Sequence, residues 1–317
     1  MKKIDVLLAT YNGEKYIAEQ IESILLNFQK VTEYDCRLLI SDDGSTDDTI
    51  QIINNISKLD NRIILVNTTK KGGVKENFNG LINSSSADYI FFCDQDDFWL
   101  PAKMRMFIDR FMSIEKEYAG PILIHSDLCV TNGYLSPRSE SMFKYQNINA
   151  NPSFNELIVS NSVTGCVMAC NKTLLNIARE STIIESIMHD WYLALIAKAF
   201  GRIDFIDSSL ILYRQHGGNQ VGAKPFNLSA ILSIYKIHDN YIKAKRSIVK
   251  TQDQARLFLN DFSDKIERKN ASLLLQFSSP KDVNIFKRLS LFLNNDFKKK
   301  GFIRNIVFFY IFVIKAL

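Results

Sequence analysis

The sequence predicts an α/β fold: a mostly parallel sheet with helices packed on both faces. Three observations carry that expectation. Short apolar runs of strand length alternate with stretches of helical period through roughly the first 220 residues. The runs Val6–Ala9, Leu38–Ser41, Ile63–Val66, Tyr89–Cys93 and Ile122–His125 are nearly continuous in apolar side chains, as strands buried on both faces are. Three of them end directly in polar turns: Thr10-Tyr11-Asn12, Asp42-Asp43-Gly44 and Asp94-Gln95-Asp96-Asp97. In such sheets ligands bind beyond the carboxyl ends of the strands, so those turns are where chemistry is expected.

The elements follow in order. After the first run, Tyr16, Ile17, Ile21, Ile24 and Leu25 recur at helical spacing. Ser45-Thr46-Asp47-Asp48 reads as a capping box opening a helix through Ile56. Pro101 stands where a first helical turn would start, ahead of Met104, Phe107, Ile108 and Phe111. The stretch 126–165 is rich in Ser and Asn and reads as a functional loop. Apolar order returns at Val163–Cys170. A helix begins near Asp190 and carries Trp191, Leu193, Leu195, Ile196 and Phe200. Ile203–Ile206 and Leu210–Tyr213 read as two further strands, and from Phe226 the pattern turns helical and basic.

Composition narrows the class. The 317 residues are 46% hydrophobic and 23% charged, which excludes a disordered tail, a collagen-like rod and a disulfide miniprotein. The net charge of +5 is unevenly placed: residues 224–317 hold 18 Lys/Arg against 7 Asp/Glu, and residues 1–223 hold 21 against 27. An acidic body suits a metal-using site. A basic C-terminal segment suits an anionic surface, lipid or nucleic acid. The five cysteines (Cys36, Cys93, Cys129, Cys166 and Cys170) form no CxxC pair and read as buried reduced thiols. Cys166 and Cys170 lack a neighbouring His or Cys, so a zinc site is not expected. The opening Met1–Ala9 is too short, and too interrupted by Asp5, for a secretory core; the longest late apolar run, Ile306–Ile314, is about half a membrane span.

Five features carry chemistry. Asp94-Gln95-Asp96-Asp97 packs three carboxylates into four residues at a strand end. It either holds a hard cation such as Mg²⁺ or Mn²⁺ or is a solvated turn with Asp97 as a helix cap. Asp42-Asp43-Gly44 reads as turn chemistry, or as Asp42 accepting from a nucleobase imide N–H. Tyr11 is a strand-end aromatic or a ring lying against a base. Asp190, in His189-Asp190-Trp191, is an N-cap or a general base for a hydroxyl nucleophile. In Arg214-Gln215-His216-Gly217-Gly218, His216 is a structural ring, a third metal ligand, or with Arg214 a clamp on a diphosphate. No GxGxxG follows the first strand, and neither GxxxxGK[ST] nor GxSxG occurs, which disfavours a classical dinucleotide site, a P-loop and a hydrolase elbow. The loop after the first strand also lacks the basic residues that a pyrophosphorylase needs to grip a triphosphate.

These residues in this order resemble the family-two glycosyltransferases of GT-A, Rossmann-like fold. The matching pieces are Leu7-Leu8-Ala9-Thr10-Tyr11-Asn12-Gly13, Asp42-Asp43-Gly44-Ser45-Thr46-Asp47, Asn77-Phe78-Asn79-Gly80, Asp94-Gln95-Asp96-Asp97 and His189-Asp190-Trp191, spread over roughly residues 3–220. With Phe98-Trp99 and Tyr213-Arg214-Gln215-His216 added, the pattern is most similar to bacterial rhamnosyltransferases of surface-polysaccharide pathways. The resemblance implies a catalytic domain over 1–223, with a nucleotide-binding half to about 100 and an acceptor half from about 101, followed by a basic helical region over 224–317. It implies Asp190 as catalytic base and Thr10, Tyr11, Glu14, Asp42, Lys75, Asn77, Asp94 and Gln95 around the donor nucleotide. Asp96 and His216 would hold Mn²⁺ or Mg²⁺, and Trp99, Thr164, Gly165, His189, Trp191 and Arg214 would border the sugar and acceptor.

The activity so implied is inverting transfer of a sugar, dTDP-L-rhamnose being the first expectation and a UDP-hexose the rival. The acceptor would be a hydroxyl of a growing surface polysaccharide linked to a polyprenyl diphosphate. The protein would lie in the cytoplasm, peripheral on the inner face of the plasma membrane through its basic C-terminal region, with room for a homodimer and no nucleic-acid partner. Two other classes share such a sheet: a pyrophosphate-handling nucleotidyl enzyme, and a non-catalytic assembly partner, against which the presence of both Asp96 and Asp190 argues.

Overall fold

A computed structural model describes residues 1–217, 237–294, 297–299 and 301–317. Its nine strands are β1 (Lys3–Thr10), β2 (Asp35–Asp42), β3 (Ile63–Asn67), β4 (Tyr89–Cys93), β5 (Phe98–Trp99), β6 (Ile122–Thr131), β7 (Pro137–Ser139), β8 (Met168–Asn171) and β9 (Arg202–Arg214) among the described residues. They form one sheet in the order β3-β2-β1-β4-β8-β6-β9-β5, with β7 on β6. The β3-β2-β1-β4 half is parallel throughout, as is β6 with β9; β8 runs antiparallel between β4 and β6, and β5 antiparallel to β9. Sequence order reverses at β1, which has β2 on one side and β4 on the other. That is the switch point where the polar turns after β1, β2 and β4 converge.

The helices are α1 (Ile17–Phe28), α2 (Thr49–Ser57), α3 (Val74–Ser84), α4 (Lys103–Glu115), α5 (Met142–Gln146), α6 (Phe154–Val159), α7 (Lys172–Arg179) and α8 (His189–Phe200). They are followed by α9 (Ile237–Phe262), α10 (Arg268–Ser278), α11 (Ile285–Asn294) and α12 (Phe302–Phe309). Alternation along β1 divides the interior: Ile4, Val6 and Leu8 pack with α1 and α4, and Leu7 packs with α3, α7 and α8 on the other face. The second core does not stop at α8. Phe258 and Phe262 of α9, Phe277 of α10, Leu291 of α11 and Phe312 after α12 belong to it. The basic region is therefore packed onto the sheet-bearing body. Where the division near residue 223 falls lies outside the described residues, as do Gly218-Asn219-Gln220 of the His216 turn and Lys300.

Three local expectations need correction. The two runs after α8 are one strand, β9, paired with β6 along its length through register shifts at Ser126/Asp127 and Asp127/Cys129. The polar stretch 126–165 is about half strand and helix rather than one loop. Its first residues complete β6, whose ten residues are all buried, and α5 and α6 follow. The polarity misleads because the Asp127 carboxylate is satisfied internally, accepting from the backbone N–H of Leu128, Met142 and Phe143 and from the Ser141 hydroxyl. Third, Ser45 does not cap α2. The helix starts at Thr49, whose N–H and hydroxyl donate to Asp47 Oδ1, while the Ser45 hydroxyl donates to Asp42 Oδ2 at 2.5 Å.

Candidate functional site

The turn after β1 is clamped to the acidic turn after β4 by Gln95. Its Oε1 accepts from Thr10 Oγ1 at 2.6 Å and from the Tyr11 N–H at 2.9 Å, and its Nε2 donates to the Tyr11 carbonyl at 3.1 Å. Gly13 permits this approach, since a Cβ there would lie 2.4 Å from Gln95 Oε1. The Tyr11 ring stays 53% exposed, leaving a face open for stacking. Asp42 is fully buried. Its Oδ1 accepts from the N–H groups of Gly44 and Ser45 at 2.9 and 2.7 Å, in a turn where Gly44 has φ +78. Turn chemistry thus occupies three of a carboxylate's roughly four lone-pair sites. Asp43, read from the sequence only as part of the Asp42-Asp43-Gly44 turn, accepts from the N–H groups of Lys71 and Gly72 and fixes the loop ahead of α3.

Several expected donor residues face elsewhere. Glu14 Oε2 accepts from the Asp48 N–H at the start of α2. Asn77 is buried and accepts from the Ser41 hydroxyl at 2.7 Å. Lys75 directs its ammonium to the carbonyls of Ile184 and Ser186, at 3.3 and 3.0 Å.

The acidic turn itself is densely charged. His216 Nε2 lies 2.8 Å from Asp96 Oδ2, so the two residues expected to hold a metal meet although 120 positions apart in sequence. Asp97 is fully buried. Its Oδ1 accepts from the Arg214 N–H at 3.1 Å, and its Oδ2 has no nitrogen or oxygen donor among the described residues. Asp94, Asp97 and the Cys166 thiol offer ligand atoms within 4.8 Å of one another. Burial first, and then the neighbouring Asp96 and Asp190, push the Asp94 carboxyl up to about 7; burial with Asp96 and Asp94 raises Asp97 well above the ordinary range. Crowded buried carboxylates, with only the weakly donating Cys166 thiol beside Asp97 on that side, are the chemistry a hard divalent cation relieves, so these residues fit Mn²⁺ or Mg²⁺.

Lys103 supplies a fixed positive charge close to this cluster. It is fully buried, donates to the Cys166 carbonyl at 2.8 Å and sits 3.4 Å over the Trp99 ring; burial lowers its ammonium to about 8. Asp97, Lys103 and Cys166 are the residues that sequence reasoning missed as a group. Trp99 and Arg214 depart from their expected places at the sugar. Pairing of β5 with β9 turns the Trp99 ring into the core, 1% exposed. Arg214 is a strut under the acidic turn: it donates to the Asp96 and Gly133 carbonyls, ion-pairs with Glu19, and lies over the Tyr16 ring.

Asp190 stands in the first turn of α8 and interacts electrostatically with Asp94. Burial raises its carboxyl to about 6 against hydrogen bonds from the N–H of Trp191 and from Gly165 and Asn161. A Cβ on Gly165 would lie 3.7 Å from Asp190 Oδ2 and 3.4 Å from His189 Nε2, so the Thr164–Gly165 turn runs directly beside the base candidate. His189 is stacked against Phe92 and packs at a tilt on Phe78, and burial lowers its imidazole to about 3, which keeps it neutral. Trp191 donates its indole N–H to the Leu157 carbonyl and anchors α8 to α6.

A stability consequence follows. Asp94 and Asp97 have folded-state values above their unfolded ones, so the stability they allow at low pH is lost as pH rises through about 7 for Asp94. Bound Mn²⁺ should offset that loss. A hundredfold excess over Kd is expected to raise Tm by about 3–5 °C at pH 8, and by less at pH 5.5. A scanning-fluorimetry titration showing no shift at either pH would contradict the cation assignment.

The glycosyl transferase family 2 model matches residues 5–174. A dTDP-rhamnosyl transferase, RfbG of Shigella flexneri, is 31% identical over 68% of this chain and 74% of its own. An Escherichia coli UDP-glucose:α-D-GlcNAc-diphosphoundecaprenol β-1,3-glucosyltransferase, WfaP, is 33% identical over 47% of this chain, which spans 58% of that relative. Among solved structures, the mannosyltransferase PcManGT of Pyrobaculum calidifontis, in complex with GDP-mannose and Mn²⁺, superposes over 90% of this chain and 71% of its own with a TM-score of 0.56 at 14% identity. That likeness is one of fold: the Rossmann-like sheet with flanking helices and a C-terminal helical extension.

Proposed function

The chain belongs to glycosyl transferase family 2 and is a glycosyltransferase, and on that premise we propose that it transfers one sugar, with inversion, from a nucleotide donor to a hydroxyl of a growing lipid-linked surface polysaccharide. The observation carrying this reading is the gathering of Asp94, Asp96, Asp97, His216 and Asp190 at the switch point of the sheet. The division of labour is a catalytic body over 1–223 and a basic helical region over 224–317. The donor nucleoside lies along Thr10, Tyr11, Gln95 and Asp42, with the open Tyr11 ring against the base; the buried Asp42 would meet an imide N–H through its remaining lone pair once the turn around it shifts.

Asp96, His216 and the Asp94/Asp97 carboxylates would hold Mn²⁺ or Mg²⁺, which when bound neutralises charge gathering on the departing diphosphate. Asp190 orients the acceptor hydroxyl and takes its proton as the oxygen bonds to the anomeric carbon. The bond from that carbon to the diphosphate oxygen breaks, and its electron pair leaves with the nucleoside diphosphate. A carboxylate raised to about 6 is a better proton acceptor than an ordinary one and is still ionised at neutral pH. Neutral His189 and the Gly165 turn shape the acceptor side without competing for the proton.

The rhamnosyl relative favours dTDP-L-rhamnose as donor, and the glucosyl relative supports a UDP-hexose as the second reading. Transfer assays with dTDP-rhamnose, UDP-glucose and UDP-galactose on polyprenyl-diphosphate-linked saccharides separate them. Rhamnose transfer supports the first; exclusive hexose transfer replaces it with the second.

The C-terminal region reads as the contact to the cytoplasmic membrane face. No described helix is long and apolar enough to cross a membrane. Ile306, Tyr310 and Ile314 are spaced as one exposed helical stripe, and Phe286 and Leu293 of α11 are also exposed, amid Lys287, Lys298, Arg304 and Lys315. Ile306→Asp with Ile314→Asp is expected to cut co-sedimentation with vesicles of phosphatidylglycerol at least fivefold. Equal sedimentation of the variant would remove this contact from the account, and salt-insensitive self-association in its place would point to a homodimer.

A further inference from the structure

The first turn of the helix that carries Asp190 is served from within by the Asp190 carboxylate itself, which accepts from the Trp191 N–H. The helix N-cap is Met188, which has no side-chain acceptor for the free N–H groups of the first turn. Asp190 takes bonds directly from Gly165 and Asn161, and its position also depends on bonds to the segment leading into α8, several of which come from outside that segment. Lys75 of α3 donates to the carbonyls of Ile184 and Ser186. Further anchors lie on α9, in the C-terminal region. The Asp261 carboxylate accepts from the Thr182 N–H and the Thr182 hydroxyl, both at 2.9 Å, and from the Tyr192 hydroxyl, two residues beyond the base. Gln254 Oε1 accepts from the Ile187 N–H at 2.9 Å.

Gln254 and Asp261 are seven positions apart, two helical turns, and so project from one face of α9. The same face carries Phe258, whose ring meets the Tyr192 ring edge-on at 5.4 Å. One stripe of α9 thus supplies both an apolar floor for α8 and polar anchors on either side of Asp190. Gln254 is buried, so removing its acceptor leaves the Ile187 N–H without a partner.

We infer that Asp261 and Gln254 are positioning residues for transfer: they fix the Thr182–Met188 segment, and through it the Asp190 carboxylate, so that the C-terminal region completes the catalytic geometry. The inference rests on the assignment of Asp190 as base. Misplacing a reacting group by an ångström costs turnover far more than it costs binding of a ligand held elsewhere. Among the described residues the turns after β1 and β2 share no hydrogen bond with α9, so donor affinity should be spared.

The test compares Asp261→Ala and Gln254→Leu in the full-length protein. It reads nucleoside-diphosphate release with polyprenyl-diphosphate-linked saccharide present, Kd for UDP and dTDP by calorimetry, and amide exchange. The expected result is a kcat at least fivefold lower with Kd within twofold, faster exchange confined to the Thr182–Met188 amides, and partial rescue in Asp261→Asn, which keeps one acceptor oxygen. A kcat less than fivefold lower in both variants, or a Kd that rises as far as kcat falls, overturns the inference. If Asp261→Ala does not fold, Gln254→Leu and Thr182→Val are read by the same criteria. Asp190→Asn run alongside keeps the two claims apart: full activity there removes the base assignment itself, whatever the α9 variants do.

Discussion

Asp190→Asn is expected to lower kcat by about 10²–10⁴ while leaving Kd for the nucleoside diphosphate within twofold. The substitution keeps the shape of the side chain and an oxygen for the Trp191 N–H, so the first turn of α8 survives. What it removes is a proton acceptor that burial has raised to about 6. The sign of the pH dependence follows. A base must be deprotonated to act, so kcat in the wild type should climb as pH rises through about 6 and level off above it. An acid limb near 4, the ordinary carboxylate range, or a variant that loses donor binding as fast as turnover, would remove Asp190 from that role.

Asp96→Asn is the second large effect. Its carboxylate faces His216, and after burial it is the largest charge raising both Asp94 and Asp97. Turnover is expected to fall about 10²–10³-fold, the size of losing one electrostatic contact to developing charge. Mn²⁺ affinity by calorimetry should fall at least tenfold. His216→Ala should fall less, about tenfold in turnover. The cluster also offers a distinct outcome. If Asp97→Asn abolishes Mn²⁺ binding and Asp96→Asn leaves it intact, the cation is held by Asp94, Asp97 and the Cys166 side instead.

Much of the architecture was legible because parallel strands buried on both faces write themselves as apolar runs: all five residues of β4 are buried, and the run Tyr89–Cys93 marks it exactly where it lies. The order of the polar turns was legible for the same reason, since each closes such a strand. β6 was only half legible. Its later residues, Ser126, Asp127 and Thr131, are polar yet buried, satisfied by partners the linear sequence does not name. The site divides likewise. Asp96 and His216 were paired in advance through motif order, and they do meet. Lys103 and Cys166, 63 residues apart, carry no local pattern: one looks like a helix-surface lysine and the other like a core thiol. Only folding shows that the ammonium is buried against the carbonyl of the residue whose thiol faces Asp94 and Asp97. The part played by α9 was hidden for a related reason. Gln254 and Asp261 sit in a basic helical stretch that reads as surface, and their partners lie about seventy positions upstream.

Sugar transfer should require a cation held by the acidic turn after β4. Release of nucleoside diphosphate from the best donor of the dTDP-rhamnose, UDP-glucose and UDP-galactose set tests it most directly, measured in the wild type before EDTA, after EDTA, and after Mn²⁺ is restored. Release is expected to stop with chelation, to return with Mn²⁺, and not to return in Asp96→Asn. Release that continues unchanged in EDTA would contradict that requirement.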